Sequence, residues 1–126
     1  MVKVLHFNYD HMHEGFYMHN LYVLLEKHPE IQFDSLPSHR YWDLIENKKL
    51  ETMLDSYDIL LIHASILSQD YVMLELPVKF PNLKIGVVTR VPDDYYESRG
   101  NVSIVNVRAE KILDYILSNS KESGSN

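Results

Sequence analysis

The sequence predicts an α/β fold, a doubly wound five-stranded parallel sheet in the order 2-1-3-4-5 with helices on both faces. Two observations support this prediction. Strand and helix signals alternate along the chain, and the third and fourth strands are almost uninterrupted apolar runs, as expected where both faces of a parallel sheet are covered. The 126 residues are 45% hydrophobic and 24% charged, which is the balance of one globular domain that needs no disulfide or metal.

The predicted elements follow from hydrophobic spacing and from breakers. The strands are Val2–Phe7, Ile31–Leu36, Asp58–His63, Leu83–Thr89 and Val102–Val107. The first helix is Met18–Leu25, whose pattern Pro29 stops, and the second is Ser38–Leu54, with Ser38 as its N-cap and a polar break at 47–49. A short third helix, Ser68–Glu75, is limited by Pro77 and Pro81, and the last helix is Ala109–Leu117. Only twelve residues separate Thr89 from Val102, so the fourth helix should be short or missing. Residues 1–117 are predicted to form a single domain and 118–126 a disordered tail.

Composition excludes several classes of function. There are no cysteines, which excludes disulfide scaffolds, thiolate zinc sites and a cysteine nucleophile. The formal charge of −6, without a dense cluster of Lys and Arg, argues against a nucleic-acid partner. The most apolar stretch, Ile59–Leu67, has His63 in its middle and is far shorter than the ~20 residues that span a bilayer. The chain begins directly with a strand pattern. We therefore expect a cytoplasmic protein with no membrane partner.

The expected fold indicates where a site should lie before any motif is considered. Ligands of doubly wound sheets bind at the carboxyl ends of the strands, near the point where the strand order reverses. In this chain that point lies between the first and third strands. The candidate site is therefore formed by the residues that follow Phe7, Ile62 and Val88.

With these strand ends in view, residues 2–117 resemble the receiver domain of bacterial two-component response regulators. Lys3-Val4-Leu5-His6-Phe7 stands in the place of the first strand, and Tyr57-Asp58-Ile59-Leu60-Leu61-Ile62 matches the strand that leads to the phosphoaccepting aspartate. Leu83-Lys84-Ile85-Gly86-Val87-Val88-Thr89 matches the fourth strand with its terminal switch hydroxyl, and Gly100-Asn101-Val102-Ser103-Ile104-Val105 stands where the fifth begins.

The sequence departs from receivers at the residues that carry phosphotransfer. Asn8-Tyr9-Asp10 replaces the cluster of acids that holds Mg²⁺, His63 replaces the phosphoaccepting aspartate, and Asn106-Val107 replaces the lysine; Thr89 alone is kept. Aspartyl phosphorylation needs a carboxylate and a divalent cation. The resemblance therefore implies a pseudo-receiver without cofactor or catalytic residues, which binds another protein or itself. Its degenerate pocket consists of Asn8, Tyr9, Asp10, His63, Thr89 and Val107.

An alternative from another class stays open. Asp10, His11, His13 and His63 are candidate ligands for a transition metal, and His63 with these residues would serve an enzyme or a phosphocarrier. The favoured interpretation of the loop at 8–14 is a polar loop that caps the first helix. Aromatic pairs at Tyr41-Trp42 and Tyr95-Tyr96 are typical of protein interfaces.

Overall fold

The computed structural model of the protein describes residues 1–8, 15–64, 70–89 and 100–124. It confirms the predicted α/β fold. Five strands form one sheet in the order β2-β1-β3-β4-β5, and all four neighbouring pairs are parallel. The strands are β1 Val2–Asn8, β2 Ile31–Pro37, β3 Ile59–His63, β4 Lys84–Thr89 and β5 Val102–Asn106.

The helices lie on both faces of the sheet. They are α1 Gly15–Leu25, α2 Ser38–Glu46, α3 Leu50–Leu54, a π-helical turn Tyr71–Glu75 that continues into α4 Leu76–Lys79, and α5 Ala109–Gly124. α1 and α5 pack against each other on one face, which we call the α1/α5 face. α2, α3 and α4 cover the other face, which we call the α2–α4 face. None of the helices in the described ranges is long and apolar enough to cross a bilayer.

Each face of the sheet has its own apolar core, because successive side chains of a strand point to opposite faces. In β3, Ile59 and Leu61 belong to the core of the α1/α5 face, whereas Leu60 and Ile62 belong to that of the α2–α4 face. All five residues of β3 are buried. The unbroken apolar run in the sequence is therefore a central strand covered on both sides.

Asp58 aligns the amino ends of three strands. Its backbone N–H donates to the carbonyl oxygen of Lys3 at 2.9 Å, and its carboxylate accepts the Lys3 backbone N–H at 2.9 Å. Its own carbonyl accepts the N–H of Lys84 at 3.0 Å. A single residue thus sets the register of β1, β3 and β4 at the edge opposite the candidate site.

The polar break predicted at 47–49 is a true interruption between α2 and α3. The N–H of Lys48 donates to the carbonyl of Ile45 at 3.1 Å, and that of Lys49 donates to Leu44 at 2.8 Å. This pair of bonds is the Schellman motif, in which the residue after the C-cap adopts a left-handed conformation. Lys48 occupies that position with φ of +58°, where glycine is the preferred residue because it has no Cβ.

Two details of the predicted helices were wrong. α2 begins at Ser38 with Pro37 as its N-cap, so Ser38 is not the cap. Pro77 does not end the third helical segment; it is the second residue of α4, which follows the π-helical turn without a break.

The segment predicted as a tail, 118–126, overlaps the end of α5. α5 continues to Gly124, because polar side chains bond back onto the preceding turn: Asn119 Nδ2 donates to the Tyr115 carbonyl at 2.7 Å and Ser120 Oγ to that of Leu117 at 3.0 Å. Residues 125 and 126 lie outside the described part, as do residues 90–99, to which the prediction of a short or missing fourth helix refers.

Candidate functional site at the carboxyl ends of the strands

The predicted strand-end residues lie at one edge of the sheet. His63 is the last residue of β3 and Thr89 the last of β4. Val107 directly follows β5, and its backbone N–H donates to the Thr89 carbonyl at 3.1 Å. Asn8 ends β1 opposite Pro37 of β2. Tyr9, Asp10, His11 and His13 lie outside the described residues, so their part in the site stays a prediction.

The two buried polar side chains at this edge belong to different faces. His63 follows Leu61 in the alternation of β3 and therefore lies on the α1/α5 face, together with Val107. Thr89 follows Val87 and lies on the α2–α4 face. Both are almost fully buried, with exposed fractions of 5% for His63 and 3% for Thr89. The sheet itself therefore separates the imidazole from the hydroxyl.

A second histidine, which the sequence analysis did not single out, is buried on the face of His63. His6 of β1 is fully buried, its Nδ1 lies 2.9 Å from Ser35 Oγ in β2, and its ring packs on Phe33 with 5.3 Å between centroids. The signal was present in the sequence, because His6 shares its strand face with Val2 and Val4, which are core residues. Polar contacts between neighbouring strands make its burial tolerable.

Burial determines the charge state of His6. Loss of solvation lowers its pKa from 6.5 to about 3, and repulsion by His63 contributes a smaller part in the same direction. The imidazole is therefore neutral at physiological pH. The hydrogen bond to Ser35 is then one between neutral groups, in which either the ring N–H or the hydroxyl donates.

The described residues hold no acid cluster at this edge. Within 1–8, 15–64, 70–89 and 100–124, no three His, Asp or Glu side chains come together as metal ligands. The buried polar groups described at the edge are the imidazole of His63 and the hydroxyl of Thr89. An imidazole is a poor ligand for Mg²⁺, which prefers oxygen donors in octahedral arrangement. These groups are suited to hydrogen bonding.

A second polar group, also not foreseen from the sequence, lies on the α2–α4 face. Tyr71 donates its hydroxyl hydrogen to Glu51 Oε2 at 2.8 Å, and Lys79 Nζ donates to the same oxygen at 3.1 Å. These bonds lower the pKa of Glu51, the bond from Tyr71 most. Burial, together with the bond to Glu51, raises the pKa of Tyr71. Glu51 is therefore ionised and Tyr71 protonated at neutral pH. Nothing in the spacing of these residues indicates that they meet.

Comparison with known proteins yields a likeness of fold. The sequence matches no protein-family model and no curated protein. The structure is similar to a crystal structure of a fragment of a protein assigned as a lipoprotein from Peptoclostridium difficile 630, with a TM-score of 0.65 and 12% identity over 95% of this chain and 99% of that one. It also matches the Francisella novicida lysine decarboxylase LdcF, with a TM-score of 0.48 and 13% identity over 93% of this chain and 17% of that one.

Proposed function

We propose that this protein is a receiver-like regulatory module that does not accept a phosphoryl group and acts by binding another protein or a second copy of itself. The observation that carries the proposal is the buried His63 at the end of β3. In the resemblance to receivers, this position belongs to the phosphoaccepting aspartate. An imidazole on a covered sheet face supplies neither the carboxylate nucleophile nor an oxygen ligand for Mg²⁺.

Exposed apolar side chains support the second half of the proposal. Leu74 and Val78 lie four residues apart on the continuous helical segment 71–79, and they are 51% and 80% exposed. Side chains at this spacing are neighbours on a helix, so the two form a small apolar patch. Trp42 of α2, which covers the same face of the sheet, is 48% exposed, and tryptophan is enriched in protein interfaces. We place the partner contact at Leu74 and Val78.

The proposal also specifies the kind of partner, the location and the role of His63. A net charge of −6 repels the phosphates of nucleic acid, which favours a protein partner. The proposal places the module in the cytoplasm, where receivers act. It includes no cofactor, and it assigns His63 a structural part in the strand-end pocket.

Intact mass spectrometry after phosphodonor treatment tests the first half of the proposal. The protein is incubated with Mg²⁺ and either acetyl phosphate, which phosphorylates receiver aspartates, or phosphoramidate, which also phosphorylates histidines. An active receiver domain serves as the positive control. We expect no added phosphoryl group with either donor. A stable adduct from acetyl phosphate would overturn the proposal. An adduct from phosphoramidate that is absent in His63→Gln would establish the phosphocarrier alternative instead.

Calorimetric titration with Zn²⁺ and Ni²⁺ tests the metal-dependent alternative. The proposal predicts no saturable binding at micromolar metal. Micromolar binding that is lost in His63→Ala would replace the regulatory module with a metal-dependent function that involves His63 and the Asp10, His11 and His13 loop.

Affinity capture with paired variants tests the interaction. The immobilised protein and its variant Leu74→Glu/Val78→Glu are exposed to native lysate, and self-association is measured by sedimentation at several concentrations. The control is Val23→Glu, at an apolar residue of α1 that is 46% exposed. We expect the double variant to lose the partner or the dimer while the control keeps it. Equal capture by all three proteins would show that Leu74 and Val78 are not the contact.

A further inference from the structure

A cavity of about 470 Å³ opens on the α2–α4 face, between the end of α2, the start of α3 and the π-helical turn. Its volume lies within the range of about 300–1,000 Å³ that is typical of small-molecule sites. Leu44, Ile45 and Leu50 supply apolar walls, and Lys48, Glu51 and Tyr71 supply polar groups. A wall of aliphatic side chains with few polar groups is the composition of a ligand pocket.

Two irregular backbone segments border this cavity. Lys48 has φ of +58°, a conformation that costs a residue with a Cβ about 1 kcal/mol more than glycine. Tyr71 begins a π-helical turn, and such turns are frequent at functional sites. Local strain of this kind is concentrated at binding sites, where the surrounding structure maintains it. Lys48 has a backbone conformation that favours glycine. A ligand contact made by its side chain would explain why a lysine stands there.

The charges around the cavity favour an anion. Glu51 already accepts bonds from Tyr71 and Lys79, so its negative charge is balanced within the protein. Lys48 forms no ion pair with another described residue. Lys79 offsets the charge of Glu51 from outside the lining, and Glu75 is a further carboxylate near Tyr71. The ammonium of Lys48, which lines the cavity, is the cation available to a ligand.

We propose that this cavity binds a small amphipathic monoanion, whose apolar body lies against Leu44, Ile45 and Leu50 and whose carboxylate pairs with Lys48. The site is distinct from the strand-end pocket, and Leu74 and Val78 do not line it. It lies away from the carboxyl ends of the strands, because α2 starts at that edge, directly after β2, and runs away from it for nine residues. Binding there requires none of His63, Thr89 or the predicted loop.

Backbone-amide NMR titration with phenylbutyrate, an aromatic monocarboxylate, tests this assignment. The neutral phenylbutanamide has the same apolar body without the charge. We expect saturable shifts at Ile45, Lys48, Thr52 and Tyr71 with the acid at millimolar concentration, and about five-fold weaker binding of the amide, which corresponds to a partly exposed ion pair.

Variants of two adjacent lysines make the test specific. Lys48→Gln should weaken binding of the acid about five-fold, whereas Lys48→Arg should retain it. Lys49→Gln removes the same charge from an exposed neighbour that does not line the cavity, and it should leave affinity unchanged. Equal affinity for acid and amide, equal loss in both glutamine variants, or shifts confined to other surfaces would each overturn the proposal.

Discussion

The two faces of the sheet bury different chemistry. On the α1/α5 face, imidazoles of β1 and β3 lie among aliphatic side chains. On the α2–α4 face, the core side chains contributed by the same strands β1 and β3 are apolar, and the polar network of Tyr71, Glu51 and Lys79 lies outside them. The same strands therefore support two different cores. We expect the core of the α1/α5 face to be sensitive to acid, and that of the α2–α4 face, with its peripheral cavity, to be insensitive to it.

The largest expected loss of stability comes from a substitution on the α2–α4 face. Phe7 is fully buried and meets the ring of Tyr41 edge-on at 5.3 Å. Phe7→Ala should lower the free energy of unfolding by about 4 kcal/mol, through lost burial and the cavity left behind. Urea denaturation at pH 7 and pH 5 should give the same loss, because no titrating group is removed. A loss that changes strongly between the two pH values would break the distinction between the faces.

Acid should lower the stability of the protein through His6, which is buried on the α1/α5 face. The folded-state pKa of about 3 lies below the ordinary value of 6.5, so below pH 6.5 the unfolded chain binds a proton that the folded chain does not. The stabilisation is complete above pH 6.5 and decreases towards pH 3, by about 1.4 kcal/mol for each pH unit. Between pH 7 and pH 5 the loss from His6 should be about 2 kcal/mol.

The His6→Gln variant serves as the control for this titration. It is less stable than the wild type at pH 7, because its side chain does not reproduce the contacts with Ser35 and Phe33. The difference between the two proteins should shrink by about 2 kcal/mol from pH 7 to pH 5 in urea denaturation. A constant difference would mean that His6 does not titrate as its burial requires.

Alanine substitutions at two glycines distinguish a stability loss caused by overpacking from one caused by backbone conformation. A Cβ on Gly86 would lie 2.7 Å from Leu61 Cδ2 and 2.9 Å from Tyr115 Cε2 on the α1/α5 face, so Gly86→Ala should cost about 1.5 kcal/mol by overpacking. Gly100 has φ of +57° and open space around it, so Gly100→Ala should cost about 1 kcal/mol from conformation alone. In thermal denaturation, the stability loss caused by Gly86→Ala should be smaller when it is combined with Leu61→Ala, which makes room for the added Cβ. The loss caused by Gly100→Ala should be unchanged by Leu61→Ala.

The smallest expected effect is a gain in stability. Lys48→Gly should raise the free energy of unfolding by about 1 kcal/mol, because glycine adopts the left-handed conformation without the Cβ penalty. Chemical denaturation measures the gain, and Lys49→Gly, at a residue with negative φ, should bring no such gain. A gain at Lys48 combined with weaker phenylbutyrate binding would link the strain to the cavity. A loss of stability would refute the strain argument.

The sheet could be predicted from the sequence because its signals are local. An apolar run such as Ile59–Ile62 and a breaker such as Pro29 act within a few residues, and the rules for crossovers then limit the strand order. Tertiary contacts set the features that were missed. The burial of His6, the meeting of Tyr71 with Glu51 and the cavity beside Lys48 each join residues that are distant in the chain or depend on packing between helices. The extension of α5 was missed because a Ser- and Asn-rich composition hides bonds such as that from Asn119 to Tyr115.

The parallel pairing has a consequence for synthesis of the chain. β1 has only β2 as a partner until residues 59–63 leave the ribosome, so a three-stranded sheet cannot exist earlier. α5, which covers the face of His6 and His63, is made after every strand. The core around these imidazoles therefore stays incomplete until α5 has been synthesised and docks beside α1.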